Sequence, residues 1–314
     1  MKKITVEYVE KLELSRIKTT LIYNRFDLWQ ENVEWKIIKV SQQENEEAKY
    51  LQVKLDNKIC EIGCWGMELQ QGELDAILKF FWELGVIKVK INRARITDNE
   101  EFNNVNDFVV PISKKSNEID SLLTKKERYN MRRQTKQCEE ICGNLSFTDY
   151  VIGEAAEKVL FKLIQVFWNY KNVSYGSDYA MTEQEYIKKY HVTDIYELKF
   201  GNTIAAVLLS CEQGTDVFLE NFSFDNKLSK QSPGMIIYNL YLKMLAKKQK
   251  ERLFLGGGTY IYKTKYGSIE QKVCNQAFYK SKKYKIREEF VIWLHVLVAK
   301  VLPKSIVKKI RSKQ

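Results

Sequence analysis

Residues 218–248 carry the chemistry most readily read from this sequence. An alternating apolar run ends at Phe224, a polar turn follows over 225–231, and Ser232-Pro233-Gly234 opens a stretch with helical period. Ser232 is a suitable N-cap and Pro233 is preorganised for the first helical position. Gly234 would let a ligand come close to the backbone. The amides of a first helical turn attract anions. With Met235 inside that turn and Lys227 and Lys230 beside it, the segment is a candidate pyrophosphate cradle. The same three residues would serve equally as an ordinary cap.

Side chains suited to proton transfer lie close by. Glu220 falls on the strand, between Phe218 and Phe222. Burial there would raise its pKa and suit it to general-base work, although a strand-end carboxylate paired with a lysine is the plainer alternative. Asp178, in Tyr175-Gly176-Ser177-Asp178-Tyr179, is a second candidate base on an aromatic, polar loop, with Tyr175 as a substrate contact; an exposed loop is the alternative. Arg128, Arg132 and Arg133 share one expected helix, where residues four apart face together. Their forks suit a phosphate or carboxylate, as on a sugar-nucleotide acceptor, or else form a solvated basic face.

The elements that must position these groups follow from periodicity. Strands are expected over 34–40, 50–55, 58–63, 86–91 and 108–112, with a turn at Asp56-Asn57 and a helix over 73–84. A long amphipathic helix is expected over 118–142, stopped by Gly143-Asn144. Beyond it come a strand (145–151), a helix (154–170), a hairpin about Gly201-Asn202, a strand (216–224), a helix (235–248) and strands over 252–255 and 273–279. The two halves share a loose order of elements, which hints at duplication.

Composition narrows the class. The chain has 314 residues, is 45% hydrophobic and 29% charged, and contains only three prolines, so disorder and a Pro-rich linker are excluded. Six cysteines stand beside only two histidines; zinc is not expected, and free thiols without a signal sequence fit a cytoplasmic chain. The net charge is +11, and eleven Lys/Arg against two Glu lie between Lys280 and Gln314. Such a tail suits anionic lipid, nucleic acid or polyphosphate, or merely keeps the surface solvated. Within it, 290–302 is apolar but too short to span a bilayer; it reads as an interfacial helix with a polybasic flank or as a last core helix.

One family joins these pieces. Ile204-Ala205-Ala206-Val207, the strand 218–224, Ser232-Pro233-Gly234-Met235, Leu255-Gly256-Gly257-Gly258 and Tyr262-Lys263 leading to Tyr266-Gly267 follow in order. The basic helix with Tyr129-Asn130-Met131-Arg132-Arg133 precedes them. Over about 122–284 the sequence resembles the acyltransferase domain of CelD/BcsL-type GNAT proteins, allied to the Fem peptidoglycan aminoacyltransferases and common in polysaccharide-biosynthesis loci. It departs from ordinary GNAT enzymes at 229–234, where only the last glycine of their Gln/Arg-x-x-Gly-x-Gly/Ala run is present.

The resemblance implies an α/β chain of the α+β kind, a GNAT-like mixed sheet flanked by helices, with two GNAT-like halves packed together. It divides as 1–115, 116–288 and a basic amphipathic tail, 289–314. It implies acyl transfer from acetyl-CoA or another acyl-CoA, without metal, to a small-molecule or glycan-precursor amine or hydroxyl. A backbone amide near 221–224 would hold the oxyanion. Lys263 would sit near the donor carbonyl or an acceptor phosphate, and Tyr262 would position the acceptor or act as an acid. Two other readings remain: a Fem-like transferase using aminoacyl-tRNA, and a non-catalytic module on a membrane or anionic polymer.

Overall fold

The computed structural model describes residues 4–9, 35–42, 48–64, 66–112, 115, 118–175, 192–258 and 260–301. Among these residues, thirteen strands form one mixed sheet. In chain order they are β1 (Ile4–Tyr8), β2 (Trp35–Gln42), β3 (Lys49–Asp56), β4 (Ile59–Gly63), β5 (Glu68–Leu69), β6 (Lys88–Ile96), β7 (Val105–Pro111), β8 (Leu145–Val151), β9 (Asp194–Phe200), β10 (Thr203–Gln213), β11 (Asp216–Phe224), β12 (Arg252–Gly256) and β13 (Ile269–Tyr279). Across the sheet the order is β1-β2-β3-β4-β6-β13-β7-β12-β11-β10-β9-β8, with β5 on β6.

The same plan occurs twice. An antiparallel series, β2-β3-β4 or β9-β10-β11, leads through a helix to a strand that returns parallel to the last of the series: β6 beside β4, β12 beside β11. The helices are α1 (Gln71–Glu83) and, four helices into the count, α4 (Pro233–Lys247). Between them lie α2 (Lys125–Cys142) and α3 (Glu157–Tyr175), and α5 (Lys282–Val301) closes the described chain.

The halves then trade strands. β7, from the first half, pairs with β12 of the second; β13, from the second, pairs with β6 of the first; and β7 and β13 pair with each other. This trade extends β7 and β13 beyond the segments expected from local pattern, 108–112 and 273–279, because the added residues alternate only weakly and gain their ladder from the other half.

β9 and β10 are buried along nearly their whole length because both faces are covered. Tyr196, Leu198, Ala206 and Leu208 enter the core under α4, whereas Ile195, Val207 and Leu209 pack with Leu160, Leu163, Ile164 and Phe167 of α3. A separate core lies under α1, built from Ile38, Leu51, Val53, Ile62, Leu74, Ile77, Phe81, Val89 and Ile91. The long helix starts later than the expected 118. A short turn, Ile119–Leu122, comes first, and Thr124 and Glu127 then close a reciprocal cap on each other's backbone amides.

Candidate active site

β11 and β12 run parallel only as far as Phe218 opposite Phe254, whose rings stack at 4.7 Å. Past that pair the ladder between them ends, and β11 continues against β10. Leu209 pairs with Asn221 and Ser210 with Leu219, so Glu220 is the extra residue of a bulge. A bulge frees one residue from the ladder and re-aims its side chain. One Glu220 carboxylate oxygen is buried without a hydrogen-bond partner among the described residues. Burial pushes this carboxyl up to about 8, opposed only by the positive charge of Arg93. A desolvated carboxylate with a vacant acceptor and a pKa near neutrality is what a general base requires.

Arg93 arrives from the other half, on β6, where it holds a left-handed φ of 62° that non-glycine residues rarely adopt. Its Nη1 lies 3.9 Å from Oδ1 of the buried Asp107 on β7, and that oxygen also accepts from the Phe108 amide at 2.9 Å. The strand trade therefore sets an arginine and an aspartate from the first half beside the bulge of the second. A Cβ on Gly66 would stand 3.0 Å from the Phe218 ring, so the loop after β4 also closes on this point.

Lys263 is buried, and its ammonium donates to the carbonyls of Leu255, Gly256 and Gly257 at 2.6, 2.9 and 2.5 Å. Its three donors are thus directed at the glycine turn, which it braces. Burial pulls it down to about 8, an effect that Asp107 opposes and Arg93 reinforces. Tyr262, half-buried, packs edge-on against Phe222 (5.1 Å) and Tyr238 (5.4 Å). The Tyr238 hydroxyl is buried with no partner among the described residues, and burial raises its pKa well above the usual value. It stays a neutral donor at working pH.

The helix N-terminus differs from the cradle expected of it. Ser232 sits in the left-handed region (φ 52°, ψ 51°) and makes no side-chain cap; its Oγ instead accepts from Gln134 Nε2 at 3.1 Å. The Met235 and Ile236 amides both donate to the Ser232 carbonyl, and Pro233 has no amide, so the first turn offers an anion fewer donors than expected. Lys227 and Lys230 are exposed on the short turn Asn226–Gln231. Gly234 is buried, and a Cβ there would meet Phe222 and Phe224 at 3.1 Å. Its smallness lets α4 close onto β11, whereas the sequence had implied room for a ligand. Gly234→Val should accordingly destabilise the fold by about 1–3 kcal/mol through overpacking, read as a lowered melting temperature without any ligand present.

The arginines divide. Arg128 Nη1 donates to the carbonyls of Asp120 (3.2 Å) and Leu123 (2.6 Å), fixing the turn before α2. Arg128 and Arg132, one turn apart as expected, line a groove of about 480 Å³ between α2 and α4 with Lys136, Asn239, Lys243 and Asp120. Arg133 is exposed and does not line it. Asn239 Nδ2 donates to Asp120 and to the Tyr266 hydroxyl (3.1 Å), and Tyr266 packs on Tyr238. An aromatic wall therefore runs from this groove to the strand that carries Glu220. Tyr175 ends α3, and Asp178 lies outside the described residues. No group of three His, Cys, Asp or Glu among the described residues could hold a metal ion.

Arg93, Asp107 and Tyr238 had no sequence signal. Arg93 lies past the strand expected over 86–91, and only the exchange of β7 and β13 places it at the bulge.

A mixed sheet flanked by helices, its strand plan occurring twice and its second parallel pair split beside a bulged strand, has a GNAT-type architecture. Residues 125–264 match the model of the family described as the acetyltransferase (GNAT) domain. No curated protein matches the sequence. Among solved structures, FemX is similar in fold at 10% identity, with a TM-score of 0.64 over 90% of this chain and 99% of that one. L-PGS from Bacillus licheniformis is similar at 12% identity, with a TM-score of 0.53 over 90% of this chain and 94% of that one.

Proposed function

We propose that the chain transfers an acyl group, acetyl in the simplest case, from acyl-CoA to an amine or hydroxyl of a sugar or cell-surface glycan precursor, as the CelD/BcsL resemblance implies. The observation that carries the reading is the buried Glu220 carboxyl, one oxygen of which has no hydrogen-bond partner among the described residues, on the bulge beside the β11–β12 gap. Glu220 takes the proton of the acceptor as the acceptor's lone pair adds to the thioester carbonyl. The carbon–sulfur bond then breaks, and the sulfur leaves with a proton supplied by an acid such as the neutral Tyr238. Lys263 holds the glycine turn, and Arg93 limits how far the Glu220 pKa rises. Arg132 and Lys136 would receive an anionic portion of the acceptor in the α2–α4 groove.

A second reading, transfer from aminoacyl-tRNA as in the Fem relatives, draws support from the closed start of α4, where the ligand space expected at Gly234 is taken by Phe222 and Phe224. Calorimetric titration separates the two. Saturable acetyl-CoA binding, weakened about tenfold by Lys227→Glu with Lys230→Glu, supports acyl-CoA. No acetyl-CoA binding, together with salt-steep binding of aminoacyl-tRNA, supports the second reading and removes the first.

A further inference from the structure

We infer that α5 is a docking element for an anionic membrane surface, laid in the plane of the headgroups. The helix is tied to the body near its start, where Glu288 pairs with the buried Lys88 of β6. On both sides of that tie its apolar side chains stand in solvent: Ile286 is 63% exposed, Phe290 58%, Ile292 54% and Trp293 56%, with Val291 and Leu294 also exposed. Ile286, Phe290 and Leu294 are four apart and share a stripe, and the Trp293 ring stacks beside Phe290 at 5.9 Å. A last core helix would bury these residues, so that alternative is overturned. An exposed apolar cluster of this size marks an interaction surface.

Charge decides what covers it. Lys282, Lys283, Lys285 and Arg287 are exposed on the same helix, and the sequence over 300–314 adds six Lys/Arg and no acid. Two copies meeting through this face would set like charges together, whereas an anionic bilayer complements them while accepting the aromatic side chains. No described helix is long and apolar enough to cross a membrane, so the helix would lie on the surface. This placement is independent of which acyl donor the site uses.

Sedimentation of the intact chain with vesicles tests it. Binding is expected to vesicles containing phosphatidylglycerol, little to phosphatidylcholine alone, with loss at high salt. Phe290→Ser with Trp293→Ser should cut the bound fraction about tenfold while leaving the melting temperature unchanged, because both side chains are exposed. Equal binding by native and variant chains would overturn the proposal. So would an absence of vesicle binding, including the case in which the native chain self-associates and the variant does not.

Discussion

Glu220→Gln is expected to lower kcat roughly 10²–10⁴-fold while making the protein more stable above pH 8. Glutamine keeps the shape but cannot take a proton. The stability effect follows from the sign of the shift. The carboxyl rises from 4.5 to about 8 on folding, so the folded state holds its proton where the unfolded state has lost it. The contribution of this group to stability is therefore complete below pH 4.5 and declines as pH rises through 8. A neutral amide removes that decline. The gain at pH 9 should be on the order of a few kcal/mol, read as a higher melting temperature for the variant than for the native chain. Native turnover should rise through pH 8 as the base deprotonates. A variant that retained turnover would remove Glu220 from the mechanism, and one no more stable at pH 9 would show that the carboxyl is not buried as described.

Lys248→Met should give a large loss of stability. Lys248 caps the end of α4 and reaches three strands: its Nζ lies 2.6 Å from Asp149 on β8, 3.2 Å from Asp194 on β9 and 2.8 Å from Glu212 on β10, and it donates to the Tyr196 hydroxyl at 2.9 Å. Burial lowers its pKa, but the hydrogen bonds it donates to Asp149 and Glu212 outweigh this and hold it well above the usual range. Methionine would leave those carboxylates facing one another, with Lys250 reaching Glu212 alone at 3.0 Å. Breaking such a pair costs about 3–5 kcal/mol, or a fall of roughly 5–10 °C in Tm. The deficit should shrink near pH 5. Burial, and then the neighbouring Glu212, already raise Asp194 to about 6, so acid neutralises the group that the variant leaves uncompensated. A deficit independent of pH would point to lost packing by the lysine stem.

Local signals were legible where one segment determines its own structure. The turn at Asp56-Asn57, the hairpin at Gly201-Asn202 and the helix start at Pro233 all stand where residue type places them. Thr124 and Glu127 spell a capping box in the sequence itself, which marks the helix start at 125. Glu220 was legible as a strand carboxylate between aromatic residues; that it sits on a bulge was not, because a bulge depends on the register of the partner strand. Ser232 and Gly234 show the limit from the other side. Their types suit a ligand-binding turn, yet a left-handed backbone at Ser232 and two phenylalanine rings beside Gly234 give both a packing role. Arg93 and Asp107 matter through a contact made across the molecule, and no window of sequence contains it.

The trade of β7 and β13 has a consequence for how substrates enter. Two-domain enzymes commonly admit ligand by swinging their halves about a linker. Here a swing would have to shear the ladders β6–β13, β13–β7 and β7–β12 together, so the sheet acts as one stiff plate across its middle. Arg93 and Glu220, one from each half, therefore keep a fixed separation through turnover. Under the proposed function, the electrostatic setting of Glu220 is therefore expected to be the same with and without ligand.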